Sequence, residues 1–424
     1  MDARAAAERF VDGLLEKAHS QPSDSGKPEE IAVELPEWFD EKQFNNGRRF
    51  YWDNCFALSG SMLLGLVAVF AVPSILRVLI GSRRSTSTFT AYKRYLSTFL
   101  HTVSWFENDM KPGSISWKSL TAVRGRHLRA SLASQLKGSG VISQRDLALT
   151  QFGFFGYSML KPHAFGVYQR REGQWEAYNH FWRVIGHMLG IEDRYNICRE
   201  TAAETREVCR VLMERVFTPC LNNVPEYFEH MARVMLDGMW TVNPVVDLDA
   251  FIYWVKYLTE VPGYVYTETD RLKMQEKIKE KLNGKSVDIG VDASEFVQTA
   301  QVDGLPPPQT RLLYYKDYEC LDTVPTYKKL DYWSRYRIGV LHTIATLYTW
   351  YLGRIYFNLN YLFSLYLMKY LPYLAMFKFG IKQAYVNMFV EDPVDDTVPK
   401  TNSEYYNEKK PPRRWYTVMM DFIL

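Results

Sequence analysis

The feature that most constrains the fold of this chain is the recurrence of apolar residues at intervals of three and four. Such spacing places side chains on one face of a helix, which is then buried. The clearest sets are Trp175, Tyr178, Trp182, Ile185 and Leu189, and then Phe228, Met231, Met235 and Met239. No sustained alternation of period two, which would indicate strands, runs through residues 48–265. The sequence therefore predicts an all-α fold.

Turn and capping residues predict where several of these helices begin and end. The sequence Lys-Gly-Ser-Gly at residues 137–140 carries two glycines and predicts a break. Ser143 is followed three residues later by Asp146, which is typical of a capped helix start. Val-Asn-Pro at residues 242–244 predicts the end of the Met-rich helix, because the residue before a proline disfavours the helical conformation.

Composition along the chain predicts five segments. Residues 1–47 are a polar leader with a short helix, and residues 48–265 are the main helical domain. Residues 266–337 are a polar extension of helices and loops, residues 338–390 are apolar, aromatic helices, and residues 391–424 are a polar tail. With 424 residues, 47% of them apolar, the chain is long enough to bury a sizeable core.

Charge, cysteine usage and missing motifs exclude several classes of protein. A net charge of only +3 gives no basis for a nucleic-acid partner. The five cysteines include no Cys-x-x-Cys pair, which argues against a disulfide framework or a structural zinc site and favours a cytosol-facing domain. The sequence has no nucleophile elbow, Walker loop, His-Glu-x-x-His or Gly-x-Gly-x-x-Gly motif. These absences argue against common hydrolases, nucleotide-dependent enzymes, zinc proteases and Rossmann dehydrogenases.

Two regions raise the question of membrane contact. Residues 55–76 carry no charge before Arg77 and are long enough to span a bilayer, but Pro73 and the small residues at 59–65 equally suit a buried core helix. Residues 338–353 and 355–368 are each short for a span and contain scattered tyrosine and tryptophan. That pattern predicts helices lying in the membrane interface or a hairpin in one leaflet, with packing on the core as the alternative.

Among eight histidines, His127 has the context of a metal-binding residue. The residues after Gly125 contain no helix breaker, so His127 is expected to lie on a helix, with Leu120, Val123 and Leu128 as apolar neighbours. A helix of this kind can hold an imidazole rigidly against one face of a porphyrin.

Four sequence elements in a fixed order carry a resemblance to a known family. They are Arg94 with Thr98, residues 123–130 around His127, Ile-Ser-Gln-Arg-Asp-Leu at 142–147, and Trp-Arg-Val-Ile-Gly-His-Met-Leu-Gly at 182–190. Over roughly residues 50–265 the chain resembles the catalytic domain shared by rubber oxygenases (latex-clearing proteins) and the mpaB-type oxygenases bound to the endoplasmic reticulum. The resemblance implies a multi-helix, haem-binding core, followed here by the apolar C-terminal helices.

The resemblance also implies a site and an activity. His127 would be the axial ligand of a haem b, Arg94 and Thr98 would lie on the opposite, oxygen-binding side, and His187 is a second candidate for lining the cavity. Two positions depart from the latex-clearing proteins: Ser97 replaces a lysine, and Ser131 replaces an arginine one helical turn after the axial histidine.

The implied reaction is cleavage of a carbon–carbon double bond in an isoprenoid or other hydrophobic substrate by O2, giving an aldehyde and a ketone. The implied location is the membrane of the endoplasmic reticulum, with the catalytic domain facing the cytosol. The alternative is a non-catalytic, membrane-associated helical binding or scaffold protein that retains the fold. A test of haem binding distinguishes the two.

Overall fold

A computed structural model describes residues 2–407, so that residues 408–424 of the predicted polar tail lie outside the described residues. This part of the chain is built almost entirely from helices. They are α1 (Ala3–Lys17), α2 (Glu41–Asp53), α3 (Cys55–Val69), α4 (Pro73–Ser82), α5 (Thr88–Glu107), α6 (Ile115–Leu136), α7 (Gln144–Leu160), α8 (Gln174–Met188), α9 (Ala202–Leu212), α10 (Thr218–Asn222), α11 (Phe228–Met239), α12 (Leu248–Leu258), α13 (Glu268–Leu282), α14 (Pro325–Lys328), α15 (Tyr332–Thr349), α16 (Tyr351–Tyr370), α17 (Tyr373–Phe379), α18 (Ile381–Ala384) and α19 (Asn402–Asn407).

Short elements complete the described structure. Strands β1 (Val291–Asp292) and β2 (Leu312–Leu313) pair antiparallel, with Val291 opposite Leu313. A π-helical turn at Met213–Phe217 connects α9 to α10. Single 3₁₀ turns lie at Pro28–Glu30, Pro162–Phe165, Ala293–Phe296, Tyr315–Tyr318 and Leu321–Thr323. The prediction of an all-α fold is confirmed.

The predicted helix ends are found where the sequence places them. Helix α6 ends at Leu136, directly before the Lys-Gly-Ser-Gly turn. Ser143 caps α7, since its Oγ accepts a hydrogen bond from the backbone N–H of Asp146 at 3.1 Å. The Asp146 carboxylate accepts in return from the N–H of Ser143 at 3.2 Å, which completes a capping box. Helix α11 ends at Met239, before the Val-Asn-Pro sequence.

The main core forms where α3 packs along α7 and α2 packs along α8. The two apolar stripes of the sequence face this core: Tyr178, Trp182 and Ile185 on α8 are buried, as is every member of the stripe on α11. Helices α3 and α7 touch at two glycines. A Cβ atom built on Gly65 would lie 2.0 Å from the carbonyl oxygen of Gly153, so this approach of the two backbones requires glycine.

Residues 55–76 do not form one continuous helix. Helix α3 ends at Val69, a short break follows, and α4 begins at Pro73. Most side chains of α3 are buried in the main core. Among residues 2–407, no single helix combines the length and apolarity needed to cross a membrane. Helices α2 and α3 pass that test only together, and they are bent by 93°.

The main core draws on four of the predicted segments, since Val302 of residues 266–337 is also buried in it. Val11 and Leu14 of α1 are buried in it, as are Tyr348 of α15 and Tyr361 of α16, together with the helices of residues 48–265. Residues 266–337 contribute a second cluster around Ile278. The division into five segments stays a prediction from composition.

The outer face of the C-terminal helices carries large apolar side chains that nothing in the described structure covers. This surface, here called the aromatic face, includes Trp350, Tyr351, Leu352, Tyr356, Phe363 and Tyr373. Each of these side chains is at least half exposed. The inner side of the same helices packs on the core. The predicted alternative of packing on the core therefore describes the inner side of these helices, and their outer side stays uncovered by the described residues.

The glycine contact between α3 and α7 predicts a sharp effect of one added methyl group. Gly65→Ala forces a Cβ against the backbone of Gly153. Because the clash is with backbone atoms, no side chain can move aside to relieve it, and we expect the free energy of unfolding to fall by about 3 kcal/mol. The matched control is Gly60→Ala on the same helix, where a Cβ meets no atom within 4 Å. That variant should be neutral or stabilised by up to about 1 kcal/mol. Equal denaturation midpoints for the two variants would contradict the close approach.

Candidate functional site

A cavity of about 600 Å³ lies between helices α3 to α8 and contains His127 in its wall. We call it the histidine cavity. Much of the wall is apolar, with Phe70, Ile75, Leu79, Phe154, Trp182 and Ile185 among its side chains. One part of the wall is strongly charged and carries Arg84, Arg94, Arg126, Arg129, Glu391 and Asp392. The volume is within the usual range for a site that binds a small molecule or cofactor.

Helix α6 carries His127 into this cavity. The helix is started by Ser114, whose Oγ accepts from the N–H of Trp117 at 3.1 Å, and His127 lies three turns further along. The Nδ1 atom of His127 is buried and has no hydrogen-bond partner among the described residues. Burial lowers the pKa of His127 to about 4, and the nearby positive charge of Arg94 lowers it further. The imidazole is therefore neutral near pH 7, the form that binds metals.

A second histidine, His101 on α5, also lines the cavity. Its Nδ1 lies 2.7 Å from the hydroxyl of Ser119, and its Nε2 lies 3.2 Å from Nη1 of Arg126. Because a guanidinium only donates, Nε2 must accept, and the ring proton is on Nδ1. Burial and then Arg126 lower the pKa of His101 to about 4, so this ring is also neutral.

The sequence argument did not select His101, although a signal was present. Arg94, Thr98 and His101 follow one another at intervals of four and three on α5, and this spacing puts them on one face of the helix. All three line the histidine cavity.

Arg94 and Thr98 are brought to the same cavity as His127, as the sequence led us to expect. Nη1 of Arg94 donates to the hydroxyl of Ser82 at 2.9 Å, which holds the guanidinium near the end of α4. The Thr98 hydroxyl donates to the carbonyl of Arg94 at 3.0 Å, so its lone pairs remain the part available to a ligand.

Five arginines line the cavity, and four of them, Arg84, Arg94, Arg126 and Arg129, are here called the arginine cluster. A segment of the tail lies against it. Glu391 accepts from Arg84 at 2.9 Å and from Arg129 at 3.1 Å. Burial raises the pKa of Asp392, although Arg94 and Arg126 oppose the shift. The cluster thus already binds one carboxylate of the chain directly and has a second one close by.

The two serines that depart from the latex-clearing pattern have different surroundings. Ser97 lines the cavity, and its buried Oγ has no hydrogen-bond partner among the described residues. Ser131 is buried, does not line the cavity, and accepts from the N–H of Ile142 at 2.9 Å. Ser131 therefore ties the end of α6 to the segment that leads into α7.

The structure does not bring His187 into the histidine cavity. Neighbouring residues on a helix point in different directions, and on α8 it is Gly186 that lines the cavity. Nδ1 of His187 lies 2.9 Å from the carboxylate of Asp193, and its ring packs edge-on against Trp38. His187 therefore does not line the cavity as expected, and it contacts Asp193 and Trp38 on the outer side of α8 instead.

Comparisons with known proteins can now be set beside this geometry. The model of the family described as "ER-bound oxygenase mpaB/B'/Rubber oxygenase, catalytic domain" matches residues 48–271. This match confirms the resemblance that the four sequence elements predicted. A solved structure, "Structure of Latex Clearing Protein LCP in the closed state", is similar with 19% identity and a TM-score of 0.40, over 62% of this chain and 76% of that chain. No curated protein matches the chain.

The lowered pKa of His127 predicts a loss of stability in mild acid. The unfolded chain takes up a proton on this histidine below its ordinary pKa of about 6.5, whereas the folded chain does so only near 4. The stability of the ligand-free protein should therefore be constant above pH 6.5 and fall as the pH drops towards 4. One histidine contributes a slope of at most about 1.4 kcal/mol per pH unit.

The variant His127→Gln removes this contribution and leaves that of His101. Denaturation midpoints measured between pH 7.5 and 5 should therefore fall less steeply for the variant than for the wild type. Parallel curves for the two proteins would mean that His127 titrates normally and is not buried as described.

Proposed function

This chain belongs to the family of ER-bound oxygenase mpaB/B′ and rubber oxygenase catalytic domains, and from that membership we propose that it is a haem b-dependent oxygenase. The proposed reaction uses O2 to cleave a carbon–carbon double bond of an isoprenoid or other hydrophobic substrate, giving an aldehyde and a ketone. The observation that carries the proposal is a neutral histidine, His127, with an unpartnered buried nitrogen in a cavity walled by apolar side chains and arginines.

The residues of the histidine cavity fit a haem. The described residues contain no cluster of three His, Cys, Asp or Glu side chains that would hold a bare metal ion. A porphyrin provides the in-plane ligands itself, so that one neutral imidazole is sufficient from the protein. His127 would supply it, and the apolar wall around Phe70 and Ile185 suits a flat, apolar ring.

The arginine cluster would pair with the propionates of the haem. Arg84 and Arg129 now share the carboxylate of Glu391, which supports the view that this part of the wall binds carboxylates. A haem would share the cluster with the tail or displace it.

When bound, the haem would supply the activation of O2. The chain's own residues would do the rest. Arg94 and Thr98 place a cation and a hydroxyl in the same cavity, where they would stabilise negative charge that develops on oxygen. The apolar wall would exclude water from the reacting groups, which strengthens those electrostatic interactions.

We further propose that the protein is associated with the membrane of the endoplasmic reticulum, with its catalytic domain in the cytosol. The family includes oxygenases bound to the endoplasmic reticulum, as its name says. All five cysteines are free, which supports a reducing environment. The aromatic face supports contact with the apolar part of a membrane surface.

Haem content tests the assignment. Wild-type protein, His127→Ala and His187→Ala would each be reconstituted with haem, freed of excess, and compared by haem-to-protein ratio and by the Soret shift on adding CO to the reduced form. We expect one haem per chain and a CO shift in the wild type, and a loss of most bound haem in His127→Ala. The matched control His187→Ala, on the outer side of α8, should behave like the wild type.

Two results would count against the proposal. Wild-type protein that takes up no haem would favour the non-catalytic binding protein instead. Equal haem content and equal spectra in all three proteins would mean that the haem is held elsewhere than at His127.

A further inference from the structure

A second cavity, of about 440 Å³, lies next to the histidine cavity and is closed on its outer side by the C-terminal helices. We call it the apolar chamber. Its walls come from α3, α5, α11 and α12 on the inside and from α15, α16 and α17 on the outside. We propose that the apolar chamber binds the uncharged hydrocarbon chain of the substrate and guides it from the aromatic face to the histidine cavity. This inference rests on the proposed function.

The chemistry of the wall selects an uncharged, apolar ligand. Among residues 2–407, no acidic residue, lysine, arginine or histidine lines the chamber. Several of its polar groups are occupied: Tyr361 bonds to Tyr51 at 2.6 Å, and the hydroxyls of Thr98 and Thr102 donate to carbonyls of their own helix at 3.0 Å. The hydroxyl of Tyr95 and the indole N–H of Trp254 are buried without a hydrogen-bond partner among the described residues. A charged ligand would therefore lose its hydration without gaining a partner of opposite charge, which is strongly unfavourable.

The two cavities meet at a shared partition. Leu66 of α3, Tyr95 and Thr98 of α5, and Phe154 of α7 line both of them. Thr98 is one of the two residues assigned to the oxygen-binding side of the haem. A chain bound in the chamber therefore ends at the side of the histidine cavity where oxygen would react.

The chamber also reaches the aromatic face. Tyr356, Phe363 and Tyr373 line the chamber, and their side chains are 62%, 61% and 50% exposed. These residues thus belong both to the wall and to the outer surface, which identifies the mouth. An apolar molecule would enter there directly from an apolar environment, without crossing the charged part of the histidine cavity.

The outer wall lies beyond the part of the chain that defines the family. The family match ends at residue 271. Helix α15, the first of the three outer helices, begins only at Tyr332, and α16 and α17 follow it. The chamber is therefore a feature that the C-terminal helices add to the catalytic domain. Its size, and with it the choice of substrate chain, is set by residues such as Phe357, Phe363 and Leu367 of α16.

Filling the chamber tests this inference. Gly60 lines it, and a Cβ at Gly60 meets no atom within 4 Å, so Gly60→Trp places an indole in the open space. Ser364→Trp fills the chamber from the opposite wall. The matched control is Gly339→Trp on α15, which is exposed, has open space at its Cβ and does not line the chamber.

The probe is N-phenylnaphthylamine, a neutral apolar dye whose emission rises on burial, with geranylgeraniol as the competing isoprenoid. We expect the wild type and Gly339→Trp to bind the dye and to release it to geranylgeraniol. Binding should be about tenfold weaker or more in Gly60→Trp and Ser364→Trp. All four full-length proteins should keep the same haem content, because the filled positions lie outside the histidine cavity.

The outcomes separate this inference from the proposed function. Dye binding as strong as in the wild type, in whichever of Gly60→Trp and Ser364→Trp folds, would overturn the chamber as a binding site. Dye binding by a wild type that takes up no haem, with that binding lost in Gly60→Trp and Ser364→Trp, would support the chamber and refute the haem assignment alone. Loss of haem together with dye in a folded filled variant would overturn the separation of the two cavities.

Discussion

The contact between the backbones of α3 and α7 determines how the rest of the protein is arranged. At Gly65 and Gly153 the two helices approach more closely than any side chain permits. Leu66 and Phe154 follow directly after these glycines and form part of the partition between the two cavities. The residues before Gly65 on α3 line the apolar chamber, and the residues before Gly153 on α7 line the histidine cavity. One close contact thus fixes two binding spaces side by side.

The distribution of charge gives the two spaces different chemistry. The histidine cavity gathers five arginines and a pair of neutral histidines, while none of the described residues that line the apolar chamber is charged. Burial keeps His127 and His101 unprotonated near pH 7, and the neighbouring arginines reinforce the effect. A carboxylate-bearing cofactor and an apolar substrate would therefore be sorted into adjacent compartments by electrostatics and solvation alone.

Local features of the fold were predictable from the sequence, because helix periodicity and capping act over a few residues. The capping box at Ser143, the break after Leu136 and the buried stripes of α8 and α11 are examples. His127 was found because four elements in a fixed order pointed to it. His187 was misplaced because neighbouring positions on a helix are turned about 100° from each other, and sequence alone did not say that Gly186 is the one that faces the cavity.

Features that depend on distant segments could not be predicted in the same way. Glu391 pairs with Arg84, which is 307 residues away along the chain, and with Arg129, which is 262 residues away. The apolar chamber forms only when α16 is folded back onto α3 and α5. Periodicity shows that a helix has an apolar face, but it does not identify the helix against which that face packs.

The most direct test of the account is whether His127 itself supplies the axial ligand of the iron. Resonance Raman spectra of the reduced protein would be compared for the wild type and for His127→Gly, the latter with and without added imidazole. The account predicts an iron–imidazole stretching band in the wild type, its loss in the glycine variant, and its return when imidazole fills the space left by the side chain. A band that persists in His127→Gly without imidazole would contradict the account, because another residue would then bind the iron.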